Sequence, residues 1–315
     1  MTQFWKINEI KRLKEAYNKV YFTYTPHAIA KILLPLFPNR HLMSIDNKIN
    51  RMIREKELPE PMRINHFDDV SNLMDHFPRF NLARKIKPPV LVLADLHIPF
   101  TNITFLNKAV DAAKKQGIDK LAIVGDFFDF NFFSKHRYTG ESSQDKIEVE
   151  LAVAERIMNT LLKHFKEVYF CFAWHDYRIT AAMDYGLSVE RVVNILDLKE
   201  NKEKLFVSPY SYAYVGKEWM IAHPSRGRKI KGSTARSLVS RYEKSCIVFH
   251  QHYSSFQIDP SGNHLVVDCG DCADHEKMKY TQINATDYPK SDNAYAIIHK
   301  DERLELIIDH PLIFQ

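Results

Sequence analysis

Five short apolar runs mark the chain from position 90 onward, and amphipathic stretches separate them. The runs begin near positions 90, 121, 168, 219 and 246, and each predicts a β-strand that is buried on both faces. Apolar residues at helical spacing predict helices between the runs, over 105–116 and 147–165. This alternation of strand and helix is typical of an α/β domain.

The first 57 residues follow a different pattern, in which apolar positions recur only at helical spacing. They predict three helices, of which the second begins at Pro26 and the third runs from about Leu42 to Ile53. Five prolines in the next stretch indicate a connector. We therefore predict a helical module over 1–57, a connector over 58–89 and an α/β domain over 90–315.

Basic charge is concentrated at the start of the chain. Residues 1–60 contain 11 Lys and Arg against 6 Asp and Glu, which accounts for the whole net charge of +5. A short helix with one apolar stripe and one basic stripe suits recognition of the DNA major groove. The basic and amide side chains of the third helix and the turn before it include Arg40, Asn47, Lys48 and Arg51.

These features resemble the Myb/SANT-like helix-turn-helix. The resemblance rests on Trp5, the Pro-Asn-Arg turn at 38–40 and the stretch 44–51 that follows it. It implies that the module binds DNA through the four basic and amide side chains just named. The alternative is a docking or oligomerisation module whose basic face is merely solvated.

Each of the five apolar runs ends in side chains that bind metal ions. In a strand, residues two apart face the same side, so Asp95 and His97 aim a carboxylate and an imidazole at one point. Gly125 lets the backbone turn as it delivers Asp126 after the second run. The full series is Asp95-x-His97, Gly125-Asp126-x-x-Asp129, His175-Asp176, His223 and His250-x-His252.

This series predicts a metal site at the carboxyl ends of the strands. A lone histidine at a strand end is usually structural, but structural need gives no reason for five such motifs in order. Ligands bind outside the carboxyl ends of the strands in open α/β sheets. Carboxylates and imidazoles together suit a divalent ion, for which we expect Mn, with Fe or Zn as alternatives.

The motif series makes the stretch from about 90 to 310 resemble the calcineurin-like metallophosphoesterases. The resemblance implies an α/β four-layer sandwich of two β-sheets flanked by helices, with two metal sites. It also implies hydrolysis of phosphate esters by a metal-activated hydroxide. The first metal would be bound by Asp95, His97, Asp126 and His252, and the second by Asp126, His223 and His250.

The same resemblance assigns roles beside the metals. His175 would contact the phosphate as a general acid or an electrostatic clamp, and Asp176 would steer its ring. Asp129 would orient one of the metal ligands from behind.

Basic side chains near the motifs predict contacts with substrate phosphate. Arg178 follows His175 by three residues, and Arg226 and Arg228 open a basic stretch after His223. The alternative for that stretch, over 226–244, is an exposed basic helix.

Two positions depart from the family pattern. Trp174 stands where the family has an Asn that binds the second metal, and an indole nitrogen only donates hydrogen bonds. Phe249 stands before His250 where the family has Gly, and it would crowd the second site. We therefore expect a single or weak second metal, a site completed by another residue or water, or an impaired enzyme.

The motifs favour a phosphoesterase that acts on DNA, as a nuclease or a DNA-end phosphatase. Two alternatives are a small-molecule phosphomonoesterase or cyclic-nucleotide phosphodiesterase, and a binding protein that has lost turnover. Cys269-Gly-Asp-Cys272 has no second cysteine pair, so a zinc ribbon is not predicted. With no signal peptide and no membrane-length apolar run, we expect a cytoplasmic protein without membrane contact, and no motif indicates a protein partner.

Overall fold

The computed structural model describes residues 4–20, 25–61, 83–134, 147–198, 201–278, 281 and 290–309. The chain divides into two compact units, 1–80 and 81–315. Most of the predicted connector, 62–82, lies outside the described residues.

The first unit contains the three predicted helices, α1 (Ile7–Tyr17), α2 (Pro26–Leu33) and α3 (Leu42–Arg54). Helix α2 begins where Thr25 accepts a hydrogen bond from the backbone of Ala28 at 3.3 Å, with proline at the first helical position. The apolar stripes of the helices meet in one core, which includes Leu13, Ile29 and Ile49 with no exposed surface.

The second unit is built on two six-stranded mixed sheets. In the first sheet four consecutive parallel strands are joined to two antiparallel strands at one side. In order across the sheet, they are β12 (Leu304–Asp309), β11 (Asn293–Ile298), β2 (Val90–Leu93), β3 (Lys120–Val124), β4 (Glu167–Cys171) and β5 (Leu205–Ser208).

The second sheet has three neighbouring strands that run in the same direction through its middle. In order across the sheet, its strands are β1 (Arg84–Ile86), β6 (Tyr212–Val215), β7 (Trp219–Ala222), β8 (Ser245–Val248), β10 (Leu265–Asp268) and β9 (Ser255–Ile258).

The two sheets pack face to face, and helices cover both outer faces. Val92 and Val124 of the first sheet share a buried core with Ile221 and Ile247 of the second. The outer face of the first sheet carries α4 (Ile103–Lys115), α5 (Ile147–His164), α6 (Arg178–Ala182) and α7 (Val189–Val193), and α8 (Ser233–Tyr242) covers the second sheet. The prediction of a four-layer α/β sandwich with a small helical module is confirmed.

Local chemistry sets the element boundaries. Helix α4 begins two residues before the predicted start at Phe105, because Asn102 accepts a hydrogen bond from the Phe105 backbone at 3.1 Å and caps the helix. Among the described residues, none of the helices combines the length and the apolar character that crossing a bilayer requires.

Candidate metal centre

The ligand-bearing loops meet at one edge of the sandwich because the strands before them are parallel within each sheet. β2, β3 and β4 end together in the first sheet, and β7 and β8 end together in the second. The loops after β2 and β3 are also joined by backbone hydrogen bonds, from Asp95 to the carbonyl of Gly125 and from His97 to that of Asp126, at 3.1 and 3.0 Å. Side chains that are far apart in sequence therefore converge.

Asp95, His97 and His252 form the first group of side chains that could hold an ion. His252 Nε2 lies 3.2 Å from Asp95 Oδ1 and 3.3 Å from His97 Nε2, and His97 Nε2 lies 3.5 Å from the same Asp95 oxygen. Without a metal, one of these two imidazole nitrogens donates a hydrogen bond to the other. A divalent cation between them would bind both lone pairs and the carboxylate.

Asp126, His223 and His250 form a second group beside the first. His223 Nε2 lies 3.3 Å from Asp126 Oδ2 and 3.0 Å from Asp95 Oδ1, so this ring joins the two groups. The Oδ2 atom of Asp126 is buried and accepts no hydrogen bond from the described residues. This oxygen faces the His223 ring and has no closer donor in the described part of the chain, and a divalent ion between the groups would supply the positive charge there, so the donor set fits a divalent ion.

The backbone at the ligands is strained. Asp95, His97, Asp126, His250 and His252 have positive φ angles of 51°, 45°, 48°, 85° and 59°. Left-handed backbone is uncommon for residues with a side chain and costs of order 1–3 kcal/mol at each position. Such strain clusters at functional sites, where the surrounding fold holds a side chain in a useful direction.

Gly125 is required by the close approach of the loops. Its φ is +86°, and a Cβ at this position would lie 2.2 Å from the Cβ of Ala173 and 2.9 Å from Cγ of His223. Any side chain here would push apart the loops that carry the ligands.

Protonated imidazoles balance the negative charge of the buried carboxylates in the first group and beside it. Burial alone would lower the pKa of His97, but hydrogen bonds to Asp129 and Asp95 outweigh burial and raise it to about 10. Burial also opposes protonation of His223, and the carboxylates of Asp126 and Asp95 raise its pKa well above the usual value. Protons on these rings occupy the place that a metal cation would take, so proton and metal compete for the same ligands.

His250 differs from these rings. Burial, followed by the nearby His223, lowers the pKa of His250 to about 4. It is therefore a neutral imidazole at physiological pH, ready to donate a lone pair to a metal.

His175 forms a further candidate group with His97 and Asp126, and Asp129 holds its ring. His175 Nδ1 is 3.0 Å from Asp129 Oδ1, an atom that also lies 3.1 Å from Nδ1 of His97. Arg178 Nη2 lies 3.1 Å from His175 Nε2. Because a guanidinium only donates, Nε2 accepts and the ring proton is on Nδ1. This agrees with burial lowering the pKa of His175, so Arg178 supplies the positive charge at this point.

The prediction that Asp176 steers the His175 ring is wrong. The Asp176 carboxylate accepts backbone N–H groups of Ala173, Asp126 and Phe128 at 2.9, 2.9 and 3.0 Å. Burial, and then the charge of Asp126, raises the pKa of Asp176 to about 8. Asp176 fixes the loops that carry the ligands, and Asp129 serves the ring.

The two departures from the family pattern have different outcomes. Phe249 is fully buried in the core between the sheets, so the prediction that it crowds the entrance of the second site is wrong. Trp174 is 58% exposed. The second group nevertheless retains three candidate ligands, Asp126, His223 and His250.

The predicted substrate contacts differ in their position. Arg178 is part of the centre through its contact with His175, and it also donates to the carbonyl of Asp129 at 2.7 Å. Arg226 and Arg228 are exposed in the segment after His223. Their contact with substrate stays a prediction.

The predicted DNA contacts belong to the first unit, and one of them is internal. The Arg40 side chain is 4% exposed, pairs with Glu9 at 2.8 Å and lies 4.5 Å from the ring centre of Trp5. These contacts hold the module together, so Arg40 is not available to DNA and that prediction is wrong. Asn47 and Arg51 are exposed and Lys48 is half-buried, and their DNA binding stays a prediction.

Sequence reasoning missed Asp271 and His275, which form a further group with His252. β10 is parallel to β8, so the loop after it reaches the same edge of the second sheet. Asp271 follows β10 by three residues and has no exposed surface. The Asp271-x3-His275 spacing after an apolar run could have indicated this group. The stretch was considered only for its two cysteines, Cys269 and Cys272.

Comparisons with known proteins complete the description. No protein-family model matches the chain, and no curated protein matches it. Among solved structures, the chain is similar to the nuclease MPE of Pseudomonas putida, with 13% identity and a TM-score of 0.27 over 52% of this chain. The alignment spans about 62% of the nuclease's length.

Two further solved structures are similar over more of their own length. Vacuolar Protein Sorting 29 from Cryptosporidium parvum has 13% identity and a TM-score of 0.36, over 70% of this chain and 95% of that one. The E. coli phosphoesterase Yfce has 9% identity and a TM-score of 0.34, over 70% and 98% of the two chains.

Proposed function

We propose that this protein is a metal-dependent phosphoesterase of the calcineurin-like type. The observation that carries the proposal is the pair of adjoining ligand groups around Asp95 and Asp126, which are joined by the His223 ring at 3.0 and 3.3 Å from their carboxylate oxygens. Asp95, His97 and His252 would hold one ion, and His223 and His250 would hold the other together with Asp126.

Bound divalent ions supply Lewis-acid polarisation of the phosphate and acidify water at the site. The chain's own residues orient the ester beside them. Arg178 donates to one phosphate oxygen as a fixed cation, and His175 lines the same side. Asp129 keeps the proton of His175 on Nδ1 and restrains His97 at the same time. The surrounding fold holds the ligands in their strained backbone conformation before substrate arrives.

The substrate class that fits best is nucleic acid, as either a nuclease or a DNA-end phosphatase would require. Arg226 and Arg228 offer exposed cations after a ligand-bearing strand, where a phosphate backbone could follow them. Trp174 presents an exposed indole immediately before His175, and exposed aromatic rings stack well on unpaired bases. Mn is the ion we propose, with Fe and Zn accepted by the same ligands.

The catalytic part of the proposal is tested with two chromogenic esters. Metal-free protein is assayed on bis-p-nitrophenyl phosphate and p-nitrophenyl phosphate, with Mn, Fe or Zn added in turn. We expect turnover that depends on the metal. Faster turnover of the diester would favour a nuclease, and faster turnover of the monoester would favour a phosphomonoesterase, whether for DNA ends or for small molecules. A protein that binds metal and turns over neither ester would be the binding protein without catalysis.

The nucleic-acid part is tested with an Arg226→Ala/Arg228→Ala double variant. We expect weaker binding of a single-stranded oligonucleotide. The slope of log affinity against log salt should become shallower by about one for each arginine that no longer neutralises a phosphate. Turnover of bis-p-nitrophenyl phosphate should be unchanged.

Arg303→Ala is the matched control for that variant. Arg303 is also exposed, pairs with Asp301 at 2.6 Å and lies in the turn after β11. This turn is at the opposite edge because β11 runs antiparallel to β2. Equal effects of both variants on the oligonucleotide would argue against a specific basic track.

A further inference from the structure

Asp271 is a fully buried carboxylate whose two oxygens face different partners. Oδ1 accepts the backbone N–H of Ala273 at 3.0 Å and the side-chain amide of Asn293 at 2.8 Å. Oδ2 lies 2.5 Å from Nε2 of His275 and 3.5 Å from Nδ1 of His252. The first oxygen is therefore fixed by two donors, and the second is directed at two imidazoles.

The backbone fixes the separation between Asp271 and His252. The N–H of Asp271 donates to the carbonyl of Asp292 at 3.0 Å, and the N–H of Asp292 donates to the carbonyl of His252 at 2.7 Å. The Asp292 side chain also accepts the N–H of Ser254 at 2.8 Å. Because Asp292 ties both loops together, the carboxylate cannot drift away from the ring without breaking these bonds.

The two nitrogens of His252 face opposite surroundings. Nε2 faces Asp95 and His97 in the first ligand group, whereas Nδ1 faces Asp271. An imidazole binds a metal through a nitrogen without a proton, so a His252 ring that binds through Nε2 has its proton on Nδ1. A carboxylate behind Nδ1 favours this tautomer and fixes the direction of the ring.

We infer that Asp271 is a positioning residue for the first metal: it holds the proton of His252 on Nδ1 and so keeps Nε2 free to bind the ion. His275 acts through Asp271, since its Nε2 contacts the same oxygen and restrains it. This inference rests on the proposed function only in that it requires a metal in the first ligand group.

The decisive variant is Asp271→Asn, because it has the same shape. The oxygen of the new amide stays at the Oδ1 position, where Ala273 and Asn293 both donate, so the NH2 group takes the position of Oδ2. That NH2 donates to Nδ1 of His252 and favours the wrong tautomer, with the proton on Nε2. A role in packing alone would leave this variant unaffected.

The measurement is Mn affinity and stoichiometry by titration calorimetry on the full chain, with circular dichroism to establish folding. We expect Asp271→Asn to weaken Mn binding to the first site about 10- to 100-fold while the fold is retained. Asp274→Asn is the matched control, because Asp274 pairs with Lys277 and should leave affinity unchanged. His275→Ala should weaken Mn binding less than Asp271→Asn does.

The outcomes separate the positioning role from the proposed function. Wild-type Mn affinity in folded Asp271→Asn would overturn the positioning role. His275→Ala could instead lose one separately titrating equivalent of Mn while the first site keeps its affinity. That result would also overturn the positioning role, because it would show that His252, Asp271 and His275 hold an ion themselves. Mn binding that weakens as expected in the variants, but without ester hydrolysis by the wild type, would contradict the proposed function alone.

Nitrogen-15 shifts of His252 in the zinc-loaded protein report the tautomer directly.

Discussion

Asp126→Asn is the substitution that most directly tests the proposed centre. The Asp126 carboxylate is 1% exposed, and its Oδ1 accepts the backbone N–H of His175 at 2.8 Å. The amide oxygen of Asn can keep this hydrogen bond, so the loop should stay in place. The negative charge disappears, and with it the strongest attraction for an ion at Oδ2.

The magnitude follows from the distance to the positive charge that this oxygen now faces. Asp126 Oδ2 lies 3.3 Å from Nε2 of His223. At an effective dielectric constant of about 20, a unit charge at this distance is worth roughly 5 kcal/mol. In the Asp126→Asn variant, a metal cation that replaces the His223 proton would lose an attraction of comparable size to residue 126. The amide oxygen of Asn would recover part of that attraction. We therefore expect metal binding to weaken roughly 10²- to 10³-fold, with turnover reduced in proportion.

The assay combines metal stoichiometry with turnover of bis-p-nitrophenyl phosphate over a range of Mn concentrations. Asp119→Asn is the matched control. Asp119 precedes the other end of the strand that delivers Asp126, and it forms an exposed ion pair with Lys166 at 3.0 Å. The control should behave like the wild type. If folded Asp126→Asn kept both its metal stoichiometry and its turnover, the assignment of Asp126 to the centre would be refuted.

Three further predictions concern pH, the second site and the first unit. The raised pKa of His97, about 10 against an ordinary 6.5, stabilises the metal-free fold fully below pH 6.5, and this stabilisation disappears towards pH 10. Thermal unfolding of protein freed of metal with a chelator should therefore show a stability that falls from pH 7 to pH 10. Mn affinity should rise over the same range as His97 loses its proton. A stability of the metal-free protein that rises with pH would contradict this prediction. Trp174→Asn adds an amide oxygen before His175 and should tighten binding of the second Mn, and titration with unchanged second-site affinity would argue that residue 174 faces away. Asn47→Ala/Arg51→Ala should weaken DNA binding measured by fluorescence anisotropy without changing ester turnover, and unchanged binding would leave the first unit a docking module.

Several features of the candidate site could be predicted from local sequence. The two-residue repeat of a strand predicted that Asp95 and His97 share one side. Gly125 predicted a backbone turn before Asp126, and it has a positive φ and no room for a side chain. The three helices of the first unit were equally visible, because their apolar stripes depend only on spacing along the chain.

Other features depended on contacts between distant segments, and sequence reasoning misassigned or missed them. The family resemblance assigned Asp176 to the His175 ring, but Asp129 holds this ring from 46 residues away. Asp271 reaches Nδ1 of His252 only because β10 lies beside β8 in the second sheet. Phe249 turned into the core, where a fully buried aromatic ring is stabilised.

The sequence alone therefore determined the kinds of ligand, their order and the strands that end in them. Those properties are set by spacing and by the conformational preferences of neighbouring residues. Only the tertiary structure decided which carboxylate faces which imidazole, because a side chain's partner depends on strand order, register and the packing of two sheets. The same pairing decided that Arg40 is an internal ion pair of its unit rather than a surface cation.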